Sequence, residues 1–401
     1  MPCSSERTAT RMAIQGTGIR YGPHLAAFSV GYVLFSYASV PGAVVDRFGV
    51  GYTAVGLLMS AALAAFVIVQ PLGGRLVDGR ETITILLTVV SANIALALVM
   101  DFTSSFSTLL ALRGLWGLAG GLGVTVCATH ISRVYEGPQA TWHQGLNGGM
   151  FTGGGAVGFL VTPTLVGVTG WVGVHAAGAV VALPALLVLW IDRNRADRTR
   201  PDSKPTGTQQ RSDGGETVST LEILRSPVVL LAAACNFATL GAYVTLSTFV
   251  AAYFGDLGIA GPISAVALGI ASLGRLGGGI AVLRPGLPDG RVIAGAATVG
   301  AASLFAVLVG DGLVLVVLPI VALAAVSLPF GAIFKTASTA SSRDGTAVAF
   351  VVAVGNVAAL SLPAITGHVR DATGEYTLAF VLIGALNLVA AVAGLAIARR
   401  N

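Results

Sequence analysis

The sequence predicts an all-α membrane protein with 12 transmembrane helices in two pseudo-symmetric six-helix bundles, on the strength of three observations. Charged residues make up only 10% of the 401 positions, against roughly 25% in a soluble domain, and so few charges do not cover a water-exposed globule of this size. Twelve stretches of about 20 residues run almost without charge, each long enough to cross a hydrocarbon core about 30 Å thick. One polar segment, Asp192–Ser226, divides them six and six.

In order the predicted spans cover 24–45, 52–72, 82–100, 106–129, 145–168, 172–191, 227–253, 261–283, 291–310, 312–336, 345–367 and 376–398. Each must be a helix, because the bilayer offers no water to satisfy the backbone of a lone strand. The domains follow: a tail over 1–23, a first bundle over 24–191, a linker over 192–226, a second bundle over 227–398 and a short tail over 399–401. With the N-terminus placed inside, 19 Lys and Arg fall on inner segments, only Arg47 and Arg370 on outer ones, and Arg113 and Arg275 within spans. Basic residues collect on cytoplasmic loops, so both termini are expected in the cytoplasm. Two Lys against 21 Arg, amid much Ala, Gly and Val, suggests a prokaryotic inner-membrane protein.

The formal charge of +5 comes from short basic clusters between apolar runs, which read as topology determinants and not as a nucleic-acid surface. Cys3, Cys127 and Cys235 are odd in number and far apart, which supports neither a disulfide framework nor a metal site. No nucleoside-triphosphate loop occurs, since neither Lys204 nor Lys335 follows a glycine. With no buried nucleophile or carboxylate pair visible either, an enzyme is not expected, nor a cofactor.

The halves also repeat. Shifted by 200 positions, Gly155, Val157, Leu160, Pro163 and Gly167 of the fifth span fall on Gly355, Val357, Leu360, Pro363 and Gly367 of the eleventh. Repeats of this kind, one bundle per half, are a recurring architecture of secondary transporters.

Three motifs carry a family resemblance. After the second span, Gly74-x-Leu76-x-Asp78 with Arg80 resembles the G-x-L-x-D-R-x-G-R-R loop of the major facilitator superfamily, with Gly79 in place of the first Arg. The matching loop of the second half keeps Gly279 and Arg284 but has Leu283 where the Asp would stand. In span 4, the run from Arg113 through Gly117 to Gly120 resembles R-x-x-Q-G-x-x-x-G, with Trp116 replacing Gln. The end of span 11, Pro363-x-x-x-Gly367-x-x-x-Asp371-x-Thr373-Gly374-x-Tyr376, resembles the usual passage into span 12. The resemblance implies two bundles that rock about a central cavity, with spans 1, 4, 7 and 10 lining it and spans 2, 5, 8 and 11 between the halves. It also implies that Gly74, Asp78 and Arg80 form a conformational motif.

Within that architecture the candidate substrate-binding residues are Arg275, Arg113, Tyr32, Tyr243, Asn236 and Asn356. A guanidinium at mid-depth is costly and marks function by default. All acidic residues and histidines fall at span ends or beyond, so a cationic substrate would find nothing to offset it and an anion fits better. The run LGIASLGRLGGG around Arg275 is similar to span 8 of oxalate/formate antiporters and monocarboxylate transporters, where an Arg binds a carboxylate, but their further charged partner is not matched. The Gly-rich fifth span is similar to that of nitrate/nitrite porters, which pair Arg on spans 2 and 8, whereas span 2 here has none at depth. The expected activity is therefore secondary transport of a small organic or inorganic anion, with an exchanged or co-transported ion as a further partner. Efflux of lipophilic compounds is the alternative.

Overall fold

The computed structural model describes residues 17–77, 81–135, 137–199, 226–259, 261–282, 288–340 and 344–400, all of them in helices and short connections. Among these residues nine helices are long and apolar enough to cross a bilayer, a bent pair makes a tenth, and Ala176–Ile191 and Ile263–Gly278 are shorter apolar helices. They account for the predicted spans one by one. Asp78 and Arg80 lie outside the described residues, and Gly74 falls in the last turn of span 2, Tyr52–Val77. Below, inner and outer follow the orientation that the Arg distribution predicts.

Several boundaries differ from the hydropathy reading. Span 1 begins at Thr17, within the predicted tail, and span 5 begins at Gly137. Span 6, Ala176–Thr199, continues into the predicted linker. Polar residues extend a helix freely once it leaves the bilayer, so the charge pattern marks the membrane and not the helix end.

Spans 1 and 10 are broken where one continuous helix was predicted. Span 1 runs Thr17–Ser36, passes through a 3-10 turn at Tyr37–Ser39, and resumes as Pro41–Phe48 after a 66° bend. Pro41 has no N–H to donate and Val40 before it takes φ −131°, so the α-helical ladder stops there. Span 10 runs Val314–Ser327 and resumes at Phe330–Thr339, with Pro329 at the joint.

Within the first half span 1 packs on spans 5 and 6, and span 2 on span 4; in the second half span 7 packs on spans 11 and 12, and span 8 on span 10. Spans 2 and 11, and spans 5 and 8, meet across the halves, the arrangement the resemblance implies. Repeated residues occupy repeated places: a side chain at Gly155 would run into Phe35 of span 1, and one at Gly355 into Asn236 of span 7. Glycine lets backbones touch at Gly31 and Gly154, where an added Cβ would collide with the carbonyl oxygens of Phe151 and Phe28 respectively. Gly154, Gly155 and Gly158 of span 5 thus close onto span 1 of their own half, Gly149 meets Leu276 of span 8 across the interface, and a side chain at Gly145, Gly148 or Gly153 would meet open space.

Candidate functional site

The two intramembrane arginines have opposite surroundings. Arg113 of span 4 is wholly buried. Its Nη1 donates to the Val33 carbonyl at 2.8 Å, its Nη2 to Leu34 and its Nε to Leu58 at 3.4 Å. Val33 and Leu34 belong to the last turn of the first helix, where the helix dipole is negative, and the Val33 carbonyl also accepts from the Ser36 hydroxyl at 3.3 Å. Arg113 thus meets the negative end of the helix that stops at the break in span 1. Its guanidinium also lies 4.5 Å from the Tyr37 ring centroid and 5.1 Å from that of Trp116. Sequence reasoning grouped Arg113 with substrate contacts; the structure engages it in holding spans 1, 2 and 4 together.

Arg275 of span 8 has no such partners. Its guanidinium carbon sits 4.2 Å from the Tyr243 ring centroid and 4.1 Å from that of Phe330, so aromatic rings from spans 7 and 10 face it. Its Nε is buried without a partner, and no hydrogen bond or ion pair with a described residue engages the side chain. The residue as a whole is only partly buried. An intramembrane cation held by ring faces, with its hydrogen-bonding edge unmatched, is equipped to receive an anion.

The other predicted residues divide in the same way. Tyr243 is buried beside Arg275 and makes an edge contact with Phe35 of span 1 at 6.2 Å between centroids. Tyr32 is fully buried and its hydroxyl pairs with Thr162 of span 5 at 3.3 Å. Asn236 is fully buried and donates to the Val351 carbonyl of span 11 at 2.9 Å. These two bridge helices of one half. Asn356 is partly exposed on span 11. Sequence reasoning missed Phe330, because an aromatic residue in an apolar span carries no signal until Pro329 is seen to break the helix just before it.

At the outer end the halves are locked. Asp371 of span 11 accepts from the backbone N–H groups of Tyr52 and Thr53, each at 2.7 Å, and from the Thr53 hydroxyl at 2.6 Å. Its neighbour Arg370 pairs with Asp256 of span 7 at 2.6 Å and lies over the Tyr52 ring. Deeper, the Ser60 hydroxyl donates to the Leu360 carbonyl at 2.6 Å.

Span-end position does not mean exposure for the acidic residues and histidines. Asp101 and His175 are both fully buried at the outer end of the first half. The Asp101 carboxylate accepts from His175 Nδ1 and from the backbone N–H groups of His175 and Ala176, each at 2.7 Å. At the inner end His24 Nε2 and His143 Nδ1 lie 3.0 Å apart, and Thr82 and His130 pair at 2.6 Å. The turn Gly170–Gly173 accounts for the first burial, bringing Trp171 against the His175 ring.

Two helical halves in contact along spans 2 and 11 and spans 5 and 8, with a cation held between aromatic rings at mid-depth, define a secondary transporter. The Major Facilitator Superfamily profile matches residues 24–343, and the chain belongs to that family. Comparison with curated proteins finds no match. Among solved structures the chain is similar to a bacterial homologue of the human lysosomal transporter Spinster, in an inward-facing and occupied conformation, at 15% identity and TM-score 0.73, covering 99% of this chain and 98% of that one. The same homologue in an inward-facing and unoccupied conformation matches at 16% identity and TM-score 0.68, over the same shares of both chains.

Proposed function

We propose that the protein is an anion carrier that works by alternating access and holds its substrate at Arg275. The supporting observation is the guanidinium itself, faced by Tyr243 and Phe330 and hydrogen-bonded to no described residue. A planar fork of donors meets a carboxylate or nitrate with two parallel bonds, which a lysine ammonium does not reproduce. Tyr243 supports the cation, and Asn356 of span 11 offers a partly exposed amide. We place the protein in a prokaryotic plasma membrane with both termini cytoplasmic, and assign Gly74, Asp78 and Arg80 to control of the conformational change. A co-transported or exchanged ion completes the cycle.

The test is exchange of labelled small anions in proteoliposomes. Arg275→Ala is expected to abolish exchange and Arg275→Lys to reduce it at least tenfold, both at unchanged thermal stability. Wild-type exchange by Arg275→Ala would remove the anion reading and favour efflux of lipophilic compounds.

A further inference from the structure

The surroundings of Arg275 also constrain the rest of the ligand. Five rings from four spans form a continuous row: Phe151 of span 5, Phe35 of span 1, Tyr243 of span 7, and Phe330 and Phe334 of span 10, with successive centroids 6.2, 6.2, 6.3 and 6.2 Å apart. The row crosses from one half to the other and passes Arg275 at its Tyr243–Phe330 step. Its middle members are buried, whereas Phe151 and Phe334 at the two ends are partly exposed.

Several of the polar groups on these spans are engaged elsewhere, although the Thr245 hydroxyl of span 7 is buried without a hydrogen-bond partner among the described residues. Thr248 and Ser272 donate to carbonyls of their own helices, as does Ser327, while Asn236 bonds span 11. The other cations near the membrane interior are engaged: Arg113 by the carbonyls of spans 1 and 2, Lys335 by the Asp289 carboxylate at 3.2 Å, and Arg370 by Asp256. A single positive charge is therefore offered, amid rings. A second negative charge would enter the membrane interior uncompensated, and a small hydrated anion would lose its water for one guanidinium edge and hydrocarbon.

Resting on the anion assignment above, we infer that the substrate is an amphiphilic monoanion: one carboxylate-like group for Arg275 and an apolar chain or ring for the aromatic row. Burial of each methylene against these rings raises affinity, by about fourfold at the usual value per buried CH₂. A dianion of the same length is excluded by charge, and a neutral amide by the loss of the bidentate contact.

The test uses the full chain in nanodiscs and thermal stabilisation at matched free ligand concentration. The probes are acetate, butyrate, hexanoate, octanoate, 3-phenylpropionate, adipate, nitrate and octanamide. Affinity should rise about fourfold per methylene from acetate to octanoate, with 3-phenylpropionate near the top. Adipate should bind at least tenfold more weakly than hexanoate, and octanamide more weakly than octanoate. Phe151→Ala and Phe334→Ala should flatten the chain-length slope while leaving acetate unchanged, and Arg275→Gln should remove binding of every carboxylate. Nitrate or acetate binding as tightly as octanoate, with Arg275→Gln still abolishing it, would overturn this inference and leave the anion reading in place. Octanamide matching octanoate, with Arg275→Gln silent, would overturn both.

Discussion

Asp371 caps the second span from the opposite half of the molecule: its carboxylate accepts the Tyr52 and Thr53 amides at 2.7 Å each. Those amides are among the first of their helix and have no partner within it, and a negative charge there is favoured by the helix dipole. Opening the outer side must separate Asp371 from Thr53. Gly51 belongs to the same device, because a side chain there would crowd the carboxylate, its Cβ falling 2.5 Å from Oδ2.

Asp371→Ala is therefore expected to weaken outer closure by about 1–2 kcal/mol, the usual worth of a helix cap, or about 5–30-fold in the inward to outward ratio. A cysteine replacing Ser60, which faces the Leu360 carbonyl beneath this cap, reports the change. With Cys3 replaced by Ser and the native Cys127 and Cys235 buried, Ser60→Cys should react faster with an impermeant maleimide from outside when Asp371 is Ala. Unchanged labelling would mean that the cap adds nothing to the seal.

Much of this was legible beforehand, and the rest was hidden for identifiable reasons. Span number follows from charge scarcity, the repeat of the halves from the Gly and Pro register between spans 5 and 11, and the pairing of spans across the halves from the family resemblance. The motif ending in Tyr376 singled out Asp371, yet sequence says nothing about a partner more than 300 residues away, Thr53. Arg113 and Arg275 look alike in sequence, both being lone guanidinia in apolar helices. Only the structure tells them apart: Arg113 meets the carbonyls of Val33 and Leu34 at the end of the first helix, just before the 3-10 turn at Tyr37–Ser39, whereas Arg275 meets ring faces. Burial of Asp101 and His175 depended on how a short turn folds over a helix end, which hydropathy does not encode.

Arg113 and Arg275 should accordingly fail in different ways. Arg113→Ala removes the buried guanidinium that ties spans 1 and 2 to span 4 through the Val33, Leu34 and Leu58 carbonyls, and should cost roughly 2–3 kcal/mol of stability, read as a lower melting temperature that octanoate does not restore to the wild-type value. Arg275→Ala should melt as wild type does and lose stabilisation by octanoate. Equal losses of stability in both variants would contradict the division of roles.

The orientation is testable separately. A reporter inserted in the central linker at Thr208 should sit in the cytoplasm and one at Thr373 outside, since Arg and Lys crowd the linker and only Arg370 stands beside Thr373. Both on one side would break the six-plus-six count.

The last prediction concerns the Asp101–His175 pair. His175 Nδ1 donates to the carboxylate, while its Nε2 is buried without a partner beside the Tyr37 and Trp171 rings. A proton added at Nε2 would therefore meet no acceptor. Burial holds the imidazole below its ordinary value of 6.5, against the opposing pull of Asp101. With the folded pKa depressed, the unfolded chain binds the proton more readily, so the contribution to stability is complete above about pH 6.5 and falls as the medium is acidified below it. His175→Asn removes the titration and keeps a side-chain donor for the carboxylate. The melting temperature of the wild type should fall further than that of His175→Asn between pH 7.5 and pH 5.5, the difference cancelling the contribution of the other histidines. Asp101→Ala, which strips two buried donors of His175 and the part-buried Ala176 N–H of their acceptor, should cost about 3 kcal/mol or more at any pH in that range. Parallel melting curves for wild type and His175→Asn would mean that the buried imidazole titrates as freely as an exposed one.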